Sequence, residues 1–175
     1  IASAQLDVDS NGTSKNEIDK QARIVVKTSN ESSVKAGAAL YTTCIACHGA
    51  DGAGNQALNS PRLAGQSSWY LANQLKGFKA GYRGAKPGDT YGMQMRPMSM
   101  TLVDENAISN VAAYIETLNG PVSPPTLDGN AEAGKGLYAT CVACHGADGK
   151  GNQALNSPSL VGLQDWYCLL YTSDA

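Results

Sequence analysis

Cys44-Ile45-Ala46-Cys47-His48 places two thiols one helical turn apart with an imidazole directly after them, and the arrangement recurs as Cys141-Val142-Ala143-Cys144-His145. A C-x-x-C-H run can bond both vinyl groups of a haem and ligate its iron from one side. Two runs predict two covalently held haems, with Cys44, Cys47, Cys141 and Cys144 as attachment points and His48 and His145 as iron ligands. Other C-x-x-C chemistries fit less well. Zinc normally recruits a second Cys or His pair, and the only two histidines of the chain lie inside the motifs. A redox dithiol would want a βαβ setting, and neither motif follows a β-branched run.

The elements that must position these residues read as helices. Val34, Ala38 and Tyr41 recur at helical spacing and run directly into the first motif. Ile108, Val111, Ala112, Ile115 and Leu118 follow the i, i+3, i+4, i+7 pattern of one buried face, which predicts a partner helix over Asp104 to Leu118. Thr101 with Asp104 resembles a capping box, and Asn119-Gly120-Pro121 supplies the stop. A further helix is expected over Ser67 to Ala80, with Trp69, Ala72, Leu75 and Phe78 inward and Gly81 ending it. The fold class is therefore all-α.

The second motif belongs to a duplicated unit, because residues of the first recur 97 positions later: Gly37 as Gly134, Tyr41 as Tyr138, Cys44 as Cys141. The run from His48 to Pro61 returns almost unchanged as His145 to Pro158, with Lys150 in place of Ala53. The match reaches Trp166-Tyr167 and then stops. The final octapeptide from Cys168 equals the translation of a transposon-end adapter used in sequencing libraries, so it is expected to be non-native. The boundaries expected are a flexible leader over 1–33, a first unit over 34–119, a Pro-rich linker over 120–128, an incomplete second unit over 129–167 and a non-native tail over 168–175. An edge strand over Arg23 to Thr28 is the alternative for the apolar patch Ile24-Val25-Val26 in the leader.

With 6% aromatic residues and 19 glycines among 175, two such small units have thin cores, and a buried porphyrin would supply much of the apolar mass. The formal net charge is −2 and there is no basic run, which gives no support to nucleic-acid binding. No apolar run reaches the length of a membrane span. Ala2-Ser3-Ala4 before Gln5 has the small-x-small form of a signal-peptidase site, as in a secretory signal remnant.

These residues resemble class I c-type cytochromes, and the tandem arrangement is similar to the dihaem cytochrome c4 family. The resemblance covers about Val34 to Tyr167. It rests on the two motifs, the Gly-Ala-Asp-Gly that follows each, the Asn-Ser-Pro-x-Leu element, and the methionine-rich loop leading into Leu102-Val103-Asp104-Glu105. It implies His48 and His145 as proximal ligands, with the carbonyls of Pro61 and Pro158 accepting from their imidazoles, a contact that fixes the ring and raises its basicity. A thioether is the implied distal ligand, since its soft sulfur favours the reduced iron. All four methionines are Met93, Met95, Met98 and Met100. The family's position falls on Met95, with Met98 as the alternative. The second unit has no methionine, so only the first site is expected to be complete in this chain. The resemblance further implies a periplasmic bacterial electron carrier rather than an enzyme, exchanging single electrons with quinol oxidases, terminal oxidases or dehydrogenases. The alternatives are a dihaem peroxidase and a cytochrome subunit of a larger complex.

Overall fold

A computed structural model describes residues 14–173. Eight α-helices follow in order among them: α1 (Lys15–Tyr41), α2 (Ile45–His48), α3 (Ser68–Ala80), α4 (Thr90–Met100), α5 (Glu105–Glu116), α6 (Ala131–Leu137), α7 (Val142–His145) and α8 (Asp165–Ser173). Two isolated β-bridges pair Asn55 with Ser60 and Asn152 with Ser157.

The core of the first unit is Tyr41, Leu71, Leu102, Ala107, Ile108, Val111, Ala112 and Ile115. The expected face of α5 is the buried one, with Leu118 partly buried beside it. The cross-over of α1 and α5 is set by Gly37, where a Cβ would stand 2.0 Å from the Asn110 carbonyl oxygen and 2.8 Å from Tyr114 Cβ. Helix backbones can approach this closely only because no side chain intervenes. Just beyond, Tyr41 packs on Tyr114 with ring centroids 5.4 Å apart.

Four local expectations need correction. The leader is not a flexible chain where it is described, nor an edge strand: α1 begins at Lys15, Ser14 accepts from the Glu17 amide as N-cap, and no Gly or Pro interrupts the helix before Gly37. Its described side chains are exposed from Lys15 to Ser32, so the helix there is solvated on every described face. Residues 1–13, including the small-x-small site, lie outside the described residues. Asp104 itself caps α5 by accepting from the Ala107 amide at 2.7 Å, while Thr101 belongs to the end of α4 and donates to the Met98 carbonyl. On α3 Phe78 is buried and Ala72 and Leu75 pack against the core as expected, but the other buried residue is Leu71, and Trp69 is only half-buried with its ring edge-on to Tyr70. Finally, the methionine-rich stretch is helical. Asp89 caps it by accepting from the amides of Gly92 and Gly84, methionine favours helix, and the conflicting residues are Gly92 in the first turn and Pro97, which lacks an amide to donate.

Between α5 and α6 the chain has no helix or strand. Asp165 at the start of α8 holds this linker, accepting from the amides of Thr126 (2.7 Å) and Leu127 (2.8 Å) and from the Thr126 hydroxyl (2.8 Å). Cys168 and the following residues continue α8 as far as Ser173. No helix among the described residues is long and apolar enough to cross a membrane.

Candidate functional site

Each C-x-x-C-H motif is wound into a single turn. His48 donates its amide to the Cys44 carbonyl at 2.9 Å, and His145 to Cys141 at the same distance. A tyrosine fixes the exit: the buried Tyr41 donates its hydroxyl to the Gly49 carbonyl and the half-buried Tyr138 to that of Gly146, each at 2.8 Å. Burial pushes the Tyr41 hydroxyl well above its ordinary pKa, so it stays a donor.

The segment after each motif folds back to meet the histidine. Asn55 accepts from the Ala57 amide with its side chain, Asn59 adopts a left-handed conformation, and Asn55 and Ser60 exchange backbone hydrogen bonds at 2.8 and 3.0 Å. Gly54, at φ 82°, lets the strands touch, since a Cβ there would lie 2.6–2.7 Å from the backbone of Ser60, Pro61 and Arg62. Gly151 does the same in the second unit. The result is that Pro61 O lies 2.8 Å from His48 Nδ1, and Pro158 O lies 2.9 Å from His145 Nδ1. A carbonyl only accepts, so Nδ1 carries the proton and Nε2 holds the free lone pair. Burial lowers the pKa of His48, against a smaller opposing effect of the Pro61 carbonyl, which favours the neutral ring a metal requires.

A cavity of about 590 Å³ opens on this histidine, within the roughly 300–1,000 Å³ of cofactor sites. Its wall includes Cys44, Cys47, His48, Leu63, Leu71 and Phe78. Met95 and Met98 line it too; they are three residues apart on α4 and so share a face. Met93 and Met100 lie off that wall and are 46% and 52% exposed. Burial pushes the Cys44 thiol up, the opposite of the lowered pKa a redox dithiol needs. None of the five cysteines is in a disulfide. The donor set and the apolar wall fit a covalently attached haem.

Four lining or seam residues went unnoticed in the sequence. Arg62 and Gln66 line the cavity, and so do Leu163 and Tyr167 from the second unit. The signal was present: Arg62 stands where the repeat has Ser159, a break in a nearly invariant stretch.

A histidine anchored behind a C-x-x-C turn, with thioethers on the wall of the same apolar cavity, defines a c-type cytochrome. The Cytochrome c family model matches residues 34–119 and 131–173. The chain is 33% identical to cytochrome c4 of Stutzerimonas stutzeri, covering 80% of this chain and 70% of that protein. It is 34% identical to the FixP subunit of cbb3-type cytochrome c oxidase from Sinorhizobium medicae, over 73% of this chain but only 44% of the subunit. Among solved structures, reduced recombinant cytochrome c4 from Pseudomonas stutzeri aligns with a TM-score of 0.63 at 31% identity, covering 81% of this chain and 78% of that one. The chain belongs to the cytochrome c family and is of the dihaem, cytochrome c4-like kind.

Proposed function

We propose that this protein carries single electrons between respiratory redox partners in the bacterial periplasm, through two haems held by Cys44 and Cys47 and by Cys141 and Cys144. Bound haem supplies the chemistry, a reversible Fe(II)/Fe(III) change. The residues bind and orient: His48 and His145 present Nε2 to the iron, Pro61 and Pro158 hold the imidazoles, and Met95, or else Met98, supplies the thioether of the first site. The second unit contains no methionine, so only the first haem would draw a thioether from this chain. The observation that carries this reading is the shared cavity of His48, Met95 and Met98, because an iron with two protein ligands has no position left for substrate. That distinguishes a carrier from a haem enzyme.

Covalent haem attachment outside the cytoplasmic membrane, implied by the resemblance, supports the periplasmic location. The likeness to an oxidase subunit supports a second reading, in which the same module delivers electrons within a larger oxidase or dehydrogenase. Carbon monoxide tests the carrier reading on the reduced holoprotein. The first haem is expected to keep its spectrum under the gas, whereas a haem with an open site, as in a peroxidase, would bind it.

A further inference from the structure

All four methionines of the chain, Met93, Met95, Met98 and Met100, lie on α4. Two of them neither line the cavity nor pack into the core. Met93 and Met100 are 46% and 52% exposed, stand off the cavity wall, and are absent from the apolar cluster of the first unit. They are two helical turns apart and so share one side of α4. Met95, two residues on from Met93, faces away from that side and lines the cavity. Methionine is among the residues most often buried, so two half-exposed thioethers on one outer face are not explained by packing.

What a thioether offers in water is its reactivity. A small oxygen-atom donor such as hypochlorous acid converts it to the sulfoxide. The sulfur gives up two electrons, an S–O bond forms as the O–Cl bond breaks, chloride leaves, and the hydroxyl proton passes to water. At Met93 and Met100 the polar product stays in solvent and disturbs neither core nor cavity. At the sulfur that ligates the iron, the same step consumes the soft donor. Reductases of the methionine sulfoxide class reverse the change, using two electrons from a dithiol and two protons and releasing water.

We propose that Met93 and Met100 are oxidation sites that act as sacrificial thioethers, consuming oxygen-atom donors ahead of Met95. The inference rests on the reading that Met95 ligates the first iron. Two differences order the three sulfurs. Met95 is half-buried on the cavity wall, whereas an oxidant that reaches α4 from solvent meets the outer pair first. A sulfur bound to iron also has a lone pair engaged, and the outer two hold theirs in water. The helix that supplies the ligand thus carries its own protection.

The test is a titration of the oxidised holoprotein with hypochlorous acid, in the wild type and in Met93→Leu/Met100→Leu. Absorption follows the thioether-to-iron charge-transfer band, and peptide mass mapping locates each sulfoxide. Leucine is close to methionine in volume. Both proteins keep Met98 and Cys168, which therefore take the same share of oxidant in each. In the wild type, sulfoxide is expected at Met93 and Met100 before Met95. In the double variant the band is expected to disappear about two oxidant equivalents per chain earlier, one for each sulfur removed. Loss of the band at the same dose in both proteins, or oxidation of Met95 as early as Met93 and Met100, would overturn the proposal. Should the double variant lose its haem, the order of sulfoxides in the wild type decides alone. A wild-type protein with no thioether band before oxidant is added would instead refute the ligand reading itself.

Discussion

At the scale of single residues, the histidine and the methionines were legible to different degrees. His48 is fixed by its place in the motif, and the Asn-Gln-Ala-Leu-Asn-Ser-Pro hairpin that delivers Pro61 O to Nδ1 is written out in the sequence twice. The thioether is not fixed in this way. Met95 and Met98 are neighbours on one helical face, so position along the chain separates them poorly, and both reach the cavity wall. Met98 is 39% exposed, whereas Met95 is better covered, which favours Met95. In the oxidised protein, Met95→Ala is expected to abolish the weak thioether-to-iron charge-transfer band, while Met98→Ala leaves it. Loss of the band in Met98→Ala alone would transfer the role to Met98.

At the scale of elements, the packing of α1 on α5 decides the stability of the first unit. Gly37→Ala places a methyl group against the Asn110 carbonyl, and such overpacking costs about 1–3 kcal/mol. The equivalent Gly134 on α6 has nothing within 4 Å of its would-be Cβ. Gly134→Ala should therefore be neutral or stabilising by up to about 1 kcal/mol through helix propensity. Urea melts of the two variants check the contrast, and equal effects would contradict it. The α5 face was readable because five apolar residues keep strict helical spacing. The start of α1 was not, since its first turns bury no described apolar face and are sustained by the Ser14 cap and the absence of a breaker. Likewise the Met-Gln-Met-Arg-Pro-Met run reads as a loop from its proline, whereas the Asp89 cap carries the helix through Pro97. Long-range contacts such as Arg62 with Gln164 have no local pattern at all.

At the scale of the whole molecule, the two units are held by polar contacts across the seam and by the linker that Asp165 grips. Gln164 spans the seam with both ends of its amide, accepting from the Arg62 amide and donating to the Ala53 carbonyl at 3.2 Å, and Gln66 crosses it in the other direction to the Ser159 carbonyl. The Leu127 amide, followed by the Thr126 hydroxyl and amide, pulls the Asp165 carboxyl down to about 2 from an ordinary 3.8. Because the folded pKa is the lower one, this contribution is complete above the ordinary value and is lost as pH falls from about 4 towards 2. Unfolding midpoints measured over that range should decline less steeply in Asp165→Asn than in the wild type. Parallel declines would show that the carboxylate does not grip the linker.

The central claim is that this chain holds haem covalently at both C-x-x-C-H turns, and intact mass of the exported protein after acid-acetone extraction tests it most directly. The account predicts a mass heavier than the polypeptide by two haems, falling by one haem when Cys44 and Cys47 are replaced by serine and by one when Cys141 and Cys144 are. A polypeptide mass with no haem increment would contradict it.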